Sequence, residues 1–506
     1  MTALGPRPSA LGRRLISTGD FQSREDLIVP APDRLAQRER AVQFGTGALL
    51  RGLVDYFLDE AGRAGRWDGR VVAIGSTGSG RDAAINEQDG LYTLVSRGVS
   101  NGRPVSETRV VGSVSRAVSA ADDWDAVLRL ARDPWIELVF SNTTEVGIVL
   151  DESDEPDLSP PRSFPGKLTR FLFERARAFA FSRHKGVVVI PCELLESNGD
   201  RLKAIVHALA ERWALGRPFV RWLEEAVPFC NTLVDRIVPG APPADERAAL
   251  AERLGYEDAM LTACEPYRLL AIEPNGAPAE RLRWASAEDG VVVTDDVTPY
   301  RERKVRLLNG AHTVMVPLAL LAGCETVREA VEHEAVGAFL RRAMLDEILP
   351  GVRAPGADAF AREVLDRFAN PHIRHALADI TLQGTMKMKV RVVPSMLAHA
   401  ERTGRAPAAL ALGLAAHLEL LRDEHRALRK EDAQGERLRA LWAEHGDDVA
   451  ALVRAVCADT SLWDASLADI PGFVEAVTEH LARIRRDGAL AAIDEALGLR
   501  PSALGG

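Results

Sequence analysis

Lys304, Asn309 and His312 fall in one short run, Tyr300-Arg301-Glu302-Arg303-Lys304-Val305-Arg306-Leu307-Leu308-Asn309-Gly310-Ala311-His312-Thr313. The chain carries 63 cationic residues, of which 56 are arginine and seven are lysine. Arginine stays charged at any working pH, whereas a buried lysine amine can approach neutrality and exchange a proton. A lysine followed by an amide five residues on and an imidazole eight on, among apolar residues, reads as an acid/base site. Spacing alone also fits a basic helix start whose Asn309 and His312 pack without chemistry.

Something must hold that run in place, and the rest of the chain supplies two kinds of element. Before position 38 the sequence is rich in Pro, Ser and Arg without a period, and residues 1–37 read as a tail or embellishment. A short apolar strand at residues 41–44 is followed by Gly45-Thr46-Gly47. Next comes a helix with Leu49, Leu50, Leu53, Val54, Phe57 and Leu58 on one face, then a second strand over residues 70–75. Strand, glycine turn, helix, strand is the order that sets a pyrophosphate against backbone amides at a helix start. The expected contacts are Gly45, Gly47 and Arg51 around the phosphates, with Ser76, Thr77, Thr144 and Glu145 at strand ends. The third glycine of G-x-G-x-x-G is replaced by Leu50, which leaves an ordinary αβ turn as the other reading.

Apolar runs at residues 135–140 and 186–190 read as further strands covered on both faces. Polar residues follow each, where open α/β sheets bind ligands. Segments 91–95 and 109–114 flank Asn101-Gly102 and predict a hairpin inserted at the sheet edge. Asn198 is expected to cap the helix that it opens. From about position 297 the strand signals stop. Helical periodicity takes over at residues 314–321, 339–348, 410–421 and 473–484, and the acidic stretch 431–436 reads as a solvated loop. The predicted architecture is an α/β Rossmann-type N-terminal domain with a mostly parallel sheet over residues 38–296. An all-helical C-terminal domain, carrying substrate and catalytic residues, follows over 297–506.

Composition narrows the classes. With 506 residues, 46% hydrophobic and 27% charged, the chain has the make-up of a soluble globular enzyme of two or three domains. A net charge of −10, with no basic stripe, argues against nucleic acid as a partner. No apolar run predicts a membrane partner and no secretory leader is read, so a cytoplasmic location is expected. Five scattered cysteines without a C-x-x-C pair predict reduced thiols and no metal site.

The strings Ser141-Asn142-Thr143-Thr144-Glu145, Ile190-Pro191-Cys192-Glu193-Leu194, Asn231-Thr232-Leu233-Val234-Asp235-Arg236-Ile237-Val238 and Lys304 to Thr313 resemble the polyol-specific long-chain dehydrogenase (mannitol dehydrogenase) family. Within it the resemblance is greatest to members that act on hexuronic acids. The resemblance spans residue 43 to the last helices and implies zinc-independent hydride transfer between a nicotinamide cofactor and a small sugar acid. By it, Lys304 exchanges the proton, and Asn309 and Asn231 donate amide N–H groups to the oxyanion. His312, about 80° round an ideal helix from Lys304, holds a substrate hydroxyl, and Lys387 matches a substrate-binding lysine. An unperturbed lysine near ~10.4 is a poor base at neutral pH. Burial and nearby cations must therefore lower it; Arg301, Arg303 and Arg306 are placed to supply that charge, and facing solvent is the other reading of them.

NAD is the expected cofactor on the strength of the resemblance. The second strand ends in Gly75-Ser76-Thr77-Gly78-Ser79-Gly80-Arg81 with no acid before Asp82, so NADP stays open. Mannitol-specific members carry an arginine where this chain has Asp379, and an acid where it has Arg301. Both departures favour a sugar acid over a plain polyol. The cation for its carboxylate is left among Arg268, Arg374, Lys387 and Arg391. A plain polyol or another uronate is the alternative substrate, and a nicotinamide-binding sensor without turnover is the alternative of a different class. Oligomeric state is not read.

Overall fold

Val71, Ala73, Leu138, Phe140, Val188 and Ile190 alternate along their strands with Val72, Ile74, Val139, Val187 and Val189, and both sets are buried. Strands apolar on both faces need a cover on each side, and the computed structural model provides it. The structure describes residues 9–17, 21–76, 80–143 and 147–498. These form two units, Met1–Arg97 with Pro104–Val297, and Gly98–Arg103 with Thr298–Gly506.

The first unit is built on five parallel strands: β1 (Arg38–Phe44), β2 (Gly69–Gly75), β3 (Val114–Ser119), β4 (Leu138–Ser141) and β5 (Val188–Pro191). They lie in the order β3-β2-β1-β4-β5, a Rossmann arrangement whose order reverses beside β1. One face packs against Val54, Phe57, Leu58 and Ala61 of helix Val54–Arg63. The other packs against helices Trp124–Ala131, Phe164–Ala178 and Asn198–Arg212. The helix expected after the glycines is two helices, Ala48–Gly52 and Val54–Arg63, broken at Leu53 (φ −127, ψ −71).

Two expectations need correction here. The Asn101-Gly102 hairpin exists, with positive φ at both turn residues (52 and 69), as a two-residue turn of type I′ requires. Its strands Tyr92–Ser100 and Arg103–Val111 do not extend the five-stranded sheet; they form a separate sheet with Thr262–Cys264. The edge beside β2 is taken by β3, which follows the hairpin directly. Asn198 does not cap its helix, since its side chain is drawn into a buried network described below.

The second unit is helical. Helix Ala408–Leu420 is buried from Ala409 to its end and packs on Ala311–Leu321 and Phe473–Asp487. Gly413 makes the first of those contacts possible, because a Cβ there would stand 2.0 Å from Val314 Cγ2. The stretch 431–436 is only partly a solvated loop. Asp432 is buried, and its carboxylate accepts from the backbone N–H of Thr385 (2.8 Å), from Thr385 Oγ1 (2.7 Å) and from Gly435 N (3.1 Å). Those bonds secure the start of helix Gly384–Arg391. Among the described residues no helix is long and apolar enough to cross a membrane, and all five cysteines are buried and unpaired.

Candidate functional site

In the first unit the glycine turn lies at the carboxyl end of β1. Gly45 has φ +131, and a Cβ there would meet Leu50 Cδ1 at 3.0 Å and Asn142 O at 3.1 Å. Only glycine fits, by backbone conformation and by space. Gly47 has an ordinary φ of −72 and precedes helix Ala48–Gly52, and a Cβ on it would meet no atom within 4 Å among the described residues beyond its chain neighbours. That face is where a ligand can approach the backbone closely. Arg51 is buried and serves the turn from behind, donating to Thr46 O and, at 3.1 Å, to Thr262 Oγ1. Thr77, Thr144 and Glu145 lie outside the described residues.

Ser76, at the end of β2, has a buried Oγ without a hydrogen-bond partner among the described residues. The acid missing from that strand end is supplied from further along the chain. Gly80 takes a left-handed conformation (φ 73) and starts helix Arg81–Glu87, which brings Asp82 back over the strand. A Cβ on Gly75 would stand 2.1 Å from both carboxylate oxygens of Asp82. Asp82 is 8% exposed, its Oδ1 has no partner among the described residues, and burial with the nearby Asp122 raises its pKa. Sequence reading passed over it because it sits seven residues beyond Gly75; the Gly80 turn was the available signal. Orphaned polar atoms at Ser76 and Asp82, beside a turn open at Gly47, fit the ribose and phosphates of a dinucleotide.

Asn231 begins strand Asn231–Asp235 and is held there by Asn198. Asn198 Nδ2 donates to Pro191 O (3.0 Å), Glu193 O (3.1 Å) and Thr232 Oγ1 (2.9 Å), while its Oδ1 accepts from Thr232 N (2.9 Å). A fully buried amide tying two segments together explains why it does not cap. Asn231 itself donates from Nδ2 to Asp200 Oδ2 (2.8 Å) and to Glu273 Oε1 (3.2 Å). Both of its N–H groups are therefore engaged with carboxylates.

In the second unit helix Thr298–Arg303 widens into a π-helix over Lys304–Gly310 before continuing as Ala311–Leu321. This replaces the uniform 3.6-residue helix from which the angle between Lys304 and His312 was read. π-turns inside helices are rare and concentrate at functional sites. Lys304 and Asn309 are half-buried at its two ends. The guanidinium groups of Arg303 and Arg306 donate to Pro355 O (2.6 Å) and Gly351 O (3.4 Å).

Gly310 has a packing reason. A Cβ on it would stand 2.9 Å from the carbonyl oxygen of Arg391, so glycine lets helix Gly384–Arg391 lie directly against the π-segment. Lys387 and Arg391 of that helix are one turn apart on the same face. His312 is 7% exposed, stacks on Phe368 (4.2 Å, 3° between planes) and meets His375 edge-on (5.1 Å). Its Nε2 has no partner among the described residues. Burial, then His375, Arg391, Arg367 and Lys387, hold its pKa well below the ordinary value, so the ring is neutral. Lys387 donates from Nζ to Ile380 O (2.9 Å), and burial followed by Arg391 lowers its pKa.

Among the described residues one trio has metal-ligand types close together, Glu419, Glu424 and His425. Arg422 bridges both carboxylates, at 2.9 and 2.6 Å, so a guanidinium already supplies the positive charge there.

Residues 39–286 match the mannitol dehydrogenase Rossmann domain and residues 296–485 the mannitol dehydrogenase C-terminal domain. A dinucleotide-type sheet followed by a helical unit bearing a Lys–Asn–His run defines the class: a dehydrogenase acting on CH–OH groups. The chain belongs to the mannitol dehydrogenase family. It is 39% identical to altronate oxidoreductase of Bacillus subtilis over 457 residues, covering 90% of this chain and 95% of that one. Against altronate oxidoreductase of Klebsiella pneumoniae it is 42% identical over 460 residues, covering 89% and 95%. Among solved structures it resembles Pseudomonas fluorescens mannitol 2-dehydrogenase in ternary complex with NAD and D-mannitol, at 26% identity and TM-score 0.67, covering 97% of this chain and 100% of that one. A substrate-free D-sorbitol dehydrogenase shares the fold at TM-score 0.78 and 24% identity, covering 96% and 100%.

Proposed function

We propose that the protein is a zinc-independent, NAD(H)-linked reductase of a sugar acid, converting D-tagaturonate to D-altronate in cytoplasmic hexuronate catabolism. Likeness to altronate oxidoreductases over nine-tenths of the chain supports the substrate class. The observation that carries the chemistry is the neutral, buried His312, whose Nε2 lacks a partner eight residues after Lys304 in the same helical run.

Bound NADH supplies hydride to the ketone carbon. The resulting alkoxide needs a proton, which the Lys304 ammonium gives; in oxidation the neutral amine takes it back. Asn309 donates an amide N–H to the same oxygen, the stabilisation a Lewis acid gives in metal-dependent dehydrogenases. Asn231 offers a second amide, and its longer bond, to Glu273, is the one exchanged for substrate. His312 holds a neighbouring hydroxyl through Nε2. Gly45, Gly47, Ser76 and Asp82 hold the dinucleotide, with Arg51 bracing the turn. An Asp82 carboxylate at the end of β2 suits the ribose hydroxyls of NAD, where a 2′-phosphate would meet like charge.

The likeness to mannitol 2-dehydrogenase supports a second reading, a ketose or polyol substrate. Absorbance decay of NADH and NADPH with tagaturonate, fructuronate and fructose separates the cases. The proposal expects NADH oxidation with tagaturonate above both others; turnover of fructose alone would refute the sugar-acid assignment. Cofactor binding without turnover of any of the three would favour a sensor.

A further inference from the structure

Four cations compete for the carboxylate of a sugar acid, and the structure separates them. Arg268 is committed to Glu288, at 3.0 and 2.7 Å from its Nε and Nη2. Arg374 is exposed to solvent. Lys387 has its ammonium on Ile380 O. Arg391 alone of the four is sheltered and uncommitted: it is half-buried, with no ion pair or side-chain hydrogen bond among the described residues. Acids that touch its helix are occupied elsewhere, Asp432 by Thr385 and Gly435, and Asp464 by Lys389 at 2.7 Å. Withdrawing a guanidinium from water without a counter-charge is costly, so a sheltered one without a partner calls for an anion.

Its place points to the same ligand as His312. The Arg391 backbone rests on Gly310, between Asn309 and the helix that carries His312. The orphaned His312 Nε2 is an independent sign of a missing polar partner in this region. We infer that Arg391 is the specificity-determining residue for the substrate carboxylate, taking it in a two-pronged pair with Lys387 as flanking charge. The inference rests on the sugar-acid reading and names the residue that enforces it. It also gives the loss of a family arginine at Asp379 a sense: the cation that reads the substrate has moved to Arg391.

The test compares wild type with Arg391→Met and Arg391→Lys on tagaturonate and on fructose, a neutral ketohexose, following NADH absorbance. Arg391→Met should raise KM for tagaturonate by roughly 10- to 100-fold, the range for a lost charged hydrogen bond. The preference for tagaturonate over fructose, measured as the ratio of kcat/KM values, should collapse by the same factor. Arg391→Lys should recover part of it, keeping charge but not the fork. An unchanged ratio in Arg391→Met overturns the inference, because a purely structural role lowers both substrates alike. Should the methionine variant not fold, judged by melting and NADH fluorescence, wild-type oxidation of altronate against altritol decides. Equal kcat/KM for the two overturns the inference, and strong preference for altronate, weakened in Arg391→Lys, supports it. Failure of the sugar-acid reading is visible earlier, as wild type preferring fructose, and removes the inference with it.

Discussion

Gly310→Ala sets two known effects against each other. Gly310 has helical backbone angles (φ −67, ψ −47), where alanine is ordinarily the better residue by about 1 kcal/mol. The added Cβ, however, would lie 2.9 Å from Arg391 O and 3.4 Å from Val305 O. Both are backbone atoms, so neither can rotate away as a flexible side chain would. Relief requires helix Gly384–Arg391 to retreat by about half an ångström, the strain of an overpacked core, about 1–3 kcal/mol. The contact term matches or exceeds the propensity term, and a net loss of about 0–2 kcal/mol is expected in urea unfolding. The kinetic effect should be larger, since Lys387 and Arg391 move with the helix. A misplacement approaching 1 Å can reduce turnover about 100-fold. Steady-state kinetics with tagaturonate should therefore show kcat/KM falling well beyond what the stability loss explains, with NADH affinity kept. A variant at least as stable as wild type, with unaltered kinetics, would show that close approach is not why glycine stands there.

Lys304→Ala should remove the chemical step and leave NADH binding intact; turnover at the wild-type rate in that variant would end the assignment of the proton carrier. Asp82→Ala should weaken NADH roughly tenfold or more while sparing NADPH, read by nucleotide fluorescence, as expected for a lost hydrogen bond to a charged acceptor. Equal NADH affinity would leave Asp82 as a loop anchor only. His417 is buried against Thr385 Oγ1 (3.0 Å), and burial pushes its pKa down to about 4. A histidine held neutral on folding contributes stability that is complete above its unfolded value near 6.5 and is lost as pH falls from there toward 4. The slope is at most about 1.4 kcal/mol per pH unit. Urea melts of wild type and His417→Gln between pH 7 and 4 should converge as acid is added; parallel curves would contradict the burial argument.

The parallel sheet, the glycine turn, the helical second half and the Lys–Asn–His run were all legible in the residue order. Each is a local property: apolar alternation, backbone freedom or side-chain type at fixed spacing. Val71 to Ile74 could only be a doubly covered strand, and the Rossmann and C-terminal family domains agree with that reading. What the order of residues could not convey depends on segments distant along the chain meeting. Asp82 becomes a strand-end acid because Gly80 turns the chain back over Gly75. Asn198 leaves the cap role because Pro191 and Thr232 arrive beside it, and Asp432 is no loop acid because Thr385 needs an acceptor. The π-widened turn at Lys304 is invisible to a periodicity argument that assumes 3.6 residues throughout. Arg268 and Arg391 are the same residue type, and what tells them apart is Glu288 beside one and, among the described residues, no acid paired with the other. Charge is written in composition, whereas its neutralisation is a matter of which atoms the fold brings within three ångströms.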